Sequence, residues 1–321
     1  MAVPEYYRNF NIRHWSHTKL TRPMSNMIAE YCWRQPRFYA AKHDLSQTRP
    51  GSPAHVEASM RMRHLNIPTA IQMLGGTATH KAAFGILNGE DPNESIRHAI
   101  SSFQGHEPIE YSERDQLLSK HLVGGDGELI SKTINHSVEG LREAFHGANQ
   151  VDSEIKVESV FPHIEVPTLG YLDGQTSKII GELKTKWDTV DKRSKSGFKL
   201  NSIPKELGQV PSRDIQQVAI YQHLSASDRA CKIIYANRNG YVVHDIPQEK
   251  LDEALDEIYT TMRKRQRLLE RNETFEHLCE HLEVDFTHWL WRDWPPSLLE
   301  EVKSAMAGDQ SAVPAGWRNI I

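Results

Sequence analysis

Gly170-Tyr-Leu-Asp173-Gly-Gln-Thr-Ser177-Lys178-Ile-Ile-Gly-Glu182-Leu-Lys184 reads as a β-hairpin, two short strands separated by polar turn residues. With a two-residue loop at Ser177-Lys178, Asp173 stands directly opposite Glu182. Cross-strand partners hold their Cβ atoms ~4.5–5.5 Å apart on one face of a sheet. Lys184 shares that face because side chains alternate along a strand, whereas Leu183 points into the core. Two carboxylates this close repel unless a proton or a cation lies between them. Mg²⁺ and Mn²⁺ favour oxygen surroundings, and the Leu183 carbonyl is a further candidate ligand. A lysine beside such an ion can orient or help deprotonate a water, which is the minimum apparatus for cutting a phosphodiester. The plain alternative is a surface hairpin with a cross-strand ion pair, because short acid–lysine patterns are common.

Outward from the hairpin, the period of the sequence changes near residue 155. Before it, the chain reads as mainly helical. Ser25 is an N-cap candidate for a helix reaching Ala41, residues 45–55 read as a loop, and a helix is expected from near Thr77 to Asn88-Gly89. Another begins at Pro92, and a longer one covers about 127–147. After it, 156–163 alternates as a half-buried strand and precedes strands at 168–173 and 179–185. Residues 213–226 return to helical spacing, a hairpin turns at Asn237–Gly240, and 248–271 form a long amphipathic helix. The expected architecture is α/β, a mixed central sheet flanked by helices with a helical N-terminal portion. The divisions expected are 1–150 for that portion, 151–272 for the sheet-bearing core and 273–321 for a Trp-rich extension of unassigned role.

Composition narrows the function classes. A hydrophobic fraction of 38%, with no run near the ~18–20 apolar residues that span a bilayer, argues for a soluble protein and against a membrane partner. The N-terminus has no apolar signal-peptide core, so the expected location is cytoplasmic (host cytoplasm if the source is viral), with mitochondrial import left open by its Arg-rich start. Cys32, Cys231 and Cys279 form no C-x-x-C pair, so neither a disulfide framework nor an iron–sulfur cluster is expected. The net charge is −4, yet residues 1–64 carry ten Lys/Arg against four acids and residues 184–213 carry eight against three. Such local patches can grip phosphates or can be ordinary solvated surface. Trp15, Trp33 and Tyr39 in the first patch are either core residues or platforms for unpaired bases.

Three further elements accompany the hairpin. Gly76 and His80 lie four apart on a predicted helix, where an imidazole could complete a metal shell. Gln217 and Tyr221 lie four apart on another and so share a face. Glu158, on the preceding strand, is a candidate extra acid. Taken singly, each fits an ordinary structural role. In order and context, Gly76/His80, Gly170/Asp173, Glu182/Lys184 and Gln217/Tyr221 resemble the four motifs of the RecB-like branch of the PD-(D/E)XK nucleases. That branch includes the mitochondrial genome maintenance exonuclease and related phage exonucleases.

The resemblance covers about residues 20–270 and implies a restriction-endonuclease-like core. It implies that His80, Asp173, Glu182 and the Leu183 carbonyl hold one or two Mg²⁺ or Mn²⁺ ions, that Lys184 orients or activates the attacking water, and that Gln217 and Tyr221 buttress the site. Thr185, Lys186, Lys192, Arg193, Lys195 and Arg37 are the candidate DNA contacts. The implied activity is exonucleolytic hydrolysis of single-stranded DNA or duplex ends, with replication or recombination proteins as candidate partners. A structure-specific endonuclease or resolvase, and a silent DNA-binding module, stay open.

Overall fold

In the computed structural model of the chain, Thr176 builds the turn that sets the register: its hydroxyl accepts from the amides of Lys178 and Ile179, and its own amide donates to the Ile179 carbonyl at 2.8 Å. Gly174 then faces Gly181 and Gln175 faces Ile180, the register that a loop at Ser177-Lys178 requires. The structure describes residues 3–66, 71–104, 113–148, 150–191, 193–282, 284–287, 291 and 294–307.

In chain order the elements are α1 (Glu5–Asn9), α2 (His17–Thr21), α3 (Met24–Ile28), a π-helical turn (Ala29–Arg34), α4 (Gln35–Gln47), α5 (Pro53–Leu65), α6 (Ile71–Leu87), α7 (Pro92–Gln104) and α8 (Glu113–Ala144). Then come β1 (Asp152–Ser159), β2 (Thr168–Gln175), β3 (Ile179–Thr185), β4 (Asp188–Val190), β5 (Phe198–Leu200) and α9 (Ser212–Leu224). The chain continues through β6 (Ala230–Asn237), β7 (Gly240–Ile246), α10 (Gln248–Glu270), α11 (Phe275–Cys279) and α12 (Pro296–Met306). No helix among the described residues is long and apolar enough to cross a membrane.

The chain forms two units, and they do not follow chain order. One draws on 1–67, 160–168 and 259–321, the other on 68–159 and 169–258, so the boundaries differ from those expected at 150 and 272. The second unit holds the mixed five-stranded sheet, ordered β1-β2-β3-β6-β7. The β2/β3 and β6/β7 pairs are antiparallel and β3/β6 is parallel. Alternation along β6 serves two faces. Ile234 and Ala236 join the core with Leu141 and Phe145 of the α8 region, whereas the Tyr235 hydroxyl donates to Asp214 of α9 at 2.6 Å. Helices thus flank the sheet.

Close packing sets limits at Gly174. A Cβ there would lie 2.5 Å from the Phe84 ring and 3.2 Å from Phe145, both buried. Gly174→Ala should therefore cost about 1–3 kcal/mol by overpacking. Chemical denaturation reads the loss, and wild-type stability would show that the two rings can yield.

The first unit packs Trp33, Ala41 and Leu65 against Cys279, Trp291, Trp294, Leu298 and Val302. This gives the Trp-rich C-terminal stretch its place. Trp15 and Trp33 are fully buried core residues, and Tyr39 is exposed. Several expected boundaries shift. Pro23 caps α3 and Ser25 lies inside the helix; the 45–55 loop shrinks to 48–52 because α5 begins at Pro53. α6 begins at Ile71, since packing overrides the poor helix propensity of Gly75 and Gly76. α8 begins at Glu113, and the strand expected at 156–163 runs over Asp152–Ser159.

Candidate functional site

One cleft in the second unit gathers most of the candidate residues. It is lined by Gly76, Thr77 and His80 of α6, Glu154 of β1, Tyr171, Leu172 and Asp173 of β2, and Glu182 and Leu183 of β3. Its volume of about 540 Å³ falls within the range of ligand clefts, ~300–1,000 Å³. The hairpin register brings Asp173 to the level of Glu182, and Asp173 also fastens the strands by accepting from the Leu183 amide at 2.8 Å. Leu183 sends its side chain into the core, as strand alternation requires.

Lys184 ties the hairpin to α9. Its ammonium donates to Glu182 Oε1 and to Gln217 Oε1, both at 2.7 Å. The Gln217 amide in turn donates to Glu182 Oε1 at 2.6 Å and to the Tyr221 hydroxyl at 2.9 Å. Gly170 makes this possible: a Cβ there would stand 2.5 Å from the Tyr221 ring, so only glycine lets the helix residue come this close. The glycine of one motif is the seat for the tyrosine of another.

Charge in this network is unbalanced. Glu182 is 2% exposed, and its Oε2 has no hydrogen-bond partner. Burial first, and the Asp173 charge second, push its carboxyl well above the usual carboxylate range. Burial pulls Lys184 down, but Glu182 and Asp173 outweigh it and leave the lysine above its ordinary value. Lys184 is accordingly an ammonium donor here. His80 follows the same logic: burial lowers its pKa, and contact with Asp173 and the charges of Asp173, Glu182 and Glu154 raise it further than that. His80 Nε2 lies 3.3 Å from Asp173 Oδ1 without the alignment of a hydrogen bond. Burial and the Glu182 charge keep the Tyr221 phenol neutral.

Two carboxylates and an imidazole are donor types that a divalent cation takes. Among the described residues no three His, Cys, Asp or Glu side chains are drawn together to coordination distance. His80, Asp173 and Glu182 nevertheless line one cleft, and the buried, unpartnered Glu182 Oε2 is an acceptor that a cation would satisfy.

No family model and no curated protein matches the chain. Among solved structures, one described as "Crystal structure of SSO0001" is similar over 53% of this chain and 86% of its own, at 11% identity and a TM-score of 0.24. A likeness this slight carries no argument about fold or function.

The candidate phosphate contacts are scattered. The Thr185 hydroxyl accepts from the Trp187 indole at 3.0 Å, and Lys186 lies over the Tyr235 ring. Arg193 and Lys195 are exposed in the connection between β4 and β5, where Arg193 pairs with Asp191 at 3.5 Å. Lys192 lies outside the described residues. Arg37 belongs to the first unit, where it donates to the Trp33 carbonyl and stacks over that indole. Glu158 directs its carboxylate to Lys156 at 2.9 Å and is not among the cleft-lining residues, whereas Glu154, missed in the sequence, is. Nothing in the alternation of β1 distinguishes these two acids. Tyr171, missed as well, is a 55% exposed aromatic on the cleft wall.

Proposed function

We propose that the protein is a divalent-metal-dependent DNA exonuclease acting on single strands or duplex ends. The observation that carries this reading is the buried Glu182 carboxylate, unpartnered on one oxygen and bridged through the other to Lys184 and Gln217, in a cleft shared with Asp173 and His80. His80, Asp173, Glu182 and the Leu183 carbonyl would hold Mg²⁺ or Mn²⁺. When bound, the ion supplies Lewis-acid polarisation of a phosphoryl oxygen and compensates negative charge.

The chain's own groups do the rest. Lys184, fixed between two acceptors on β3 and α9, is a charged donor that orients the attacking water and offsets charge growing on the phosphoryl oxygens. Gln217 and Tyr221 hold that lysine and Glu182 in place, so neither needs to reorganise during the reaction. Tyr171 offers a π-face beside the cleft on which an unpaired base can stack, a contact worth ~1–3 kcal/mol per base; this favours a single-stranded end. Exposed Arg193 and Lys195 can meet the backbone of the strand.

Digestion of end-labelled linear DNA with Mg²⁺ is the test. Linear single strands should be shortened from an end, covalently closed single-stranded circles should survive, and EDTA should stop the reaction until Mg²⁺ or Mn²⁺ is restored. Circles cut as fast as linear strands would replace the exonuclease reading with an endonuclease. Metal-independent cutting would remove the mechanism altogether.

A further inference from the structure

Glu154 is held in a conformation that its residue type disfavours. Inside β1 its φ is +55°, the left-handed region that glycine tolerates and a side chain such as glutamate rarely adopts. Strain of this kind persists where the surroundings over-determine it, and it gathers at functional sites. Glu154 lines the cleft with His80, Asp173 and Glu182, and also a smaller adjoining cavity with His80 and Phe84.

The consequence falls on His80. Its Nε2 lies 3.3 Å from Asp173 Oδ1, and its Nδ1 lies 3.9 Å from Glu154 Oε1. Each ring nitrogen therefore faces a carboxylate, while the Phe84 ring, 4.6 Å from the imidazole, packs beside it. A histidine that ligates a metal through one nitrogen usually donates its other N–H to a carboxylate or carbonyl, which fixes both the tautomer and the ring orientation.

We propose that Glu154 is the positioning residue of this site: it accepts the Nδ1–H of His80 and so presents Nε2 to a divalent cation alongside Asp173 and Glu182. The inference rests on the metal reading of the cleft. The 3.9 Å separation is one that rotation of a side chain 72% exposed can close to a hydrogen bond. Hydrogen bonds of this sort are often long until the ligand is in place.

Calorimetric titration of the full chain with Mn²⁺, without DNA, tests the proposal. Glu154→Ala should weaken Mn²⁺ binding by about 10–100-fold, the usual effect of losing an outer-shell partner. Glu154→Gln, whose amide oxygen still accepts from Nδ1–H, should stay close to wild type, as should Glu158→Gln. Glu154→Gly should bind Mn²⁺ as weakly as the alanine variant yet unfold at a higher denaturant concentration without metal, because glycine relieves the strained φ. This opposite movement separates positioning from loss of fold. Wild-type affinity in Glu154→Ala would overturn the inference alone. Equal weakening in Glu154→Gln and Glu154→Ala would overturn it too, by making Glu154 a charged ligand. A wild-type chain that binds no Mn²⁺ would overturn the metal reading and this inference with it.

Discussion

Glu182→Gln should give a protein that is harder to unfold and unable to cut DNA. Glu182 is 2% exposed, and the fold stabilises its neutral form through burial and the nearby Asp173 charge. The folded carboxyl therefore keeps its proton to a higher pH than the unfolded one, whose ordinary value is 4.5. The stability this residue contributes is fully present below about that pH and is lost as pH rises through the folded value. Glutamine has no such slope. Its amide oxygen can still accept from Lys184 and Gln217 where Glu182 Oε1 does now. At pH 8 without metal the variant should gain on the order of 1–3 kcal/mol, at ~1.4 kcal/mol per unit of pKa difference. Denaturant midpoints at pH 5 and pH 8 would show it, with wild type losing more stability between them. If Glu182 holds the ion as proposed, cleavage should fall on the order of a thousandfold, a loss of several kcal/mol of transition-state stabilisation. A glutamine variant that is less stable at pH 8 would mean that Glu182 is a well-compensated anion.

Lys184→Ala should abolish cleavage while leaving DNA binding largely intact, and it should move stability the other way. The ammonium is the group that bridges Glu182 Oε1 and Gln217 Oε1. Removing it takes away the cation that favours the charged form of Glu182, so stability should fall most at high pH, where that form is populated; breaking a buried pair from one side costs about 3–5 kcal/mol. The rate should drop on the order of 10²–10³-fold or more, the loss expected from a preorganised donor. Single-turnover cleavage with DNA in hand, beside a binding isotherm, separates chemistry from affinity. The double variant Glu182→Gln/Lys184→Ala should recover most of the stability and none of the activity. Full activity in Lys184→Ala would falsify the assignment of the site.

The hairpin was legible because its information is local. Ser177-Lys178 and the flanking alternation were enough to fix the register that Gly174 and Gly181 display. The same holds for the Asn237–Gly240 turn and for the α9 spacing that places Gln217 and Tyr221 together. What stayed hidden depends on contacts far apart in the chain. Trp291 and Trp294 find Trp33 across more than two hundred residues, a pairing that no window of sequence reports. The three-residue strands β4 and β5 lie in a basic stretch with no alternating apolar run long enough to announce them. Glu154 escaped notice because left-handed backbone is signalled by glycine or asparagine, and this position carries neither.

The interleaved units also order events during synthesis. The unit that carries His80, Asp173, Glu182 and Lys184 is complete once residue 258 has been made. The other unit waits for 259–321, and Trp33 waits with it for Trp291 and Trp294. Domains generally fold as units as the chain emerges. The cleft can thus close on the ribosome while Trp33 and its neighbours, made before it, still wait for Trp291 and Trp294 to complete their core.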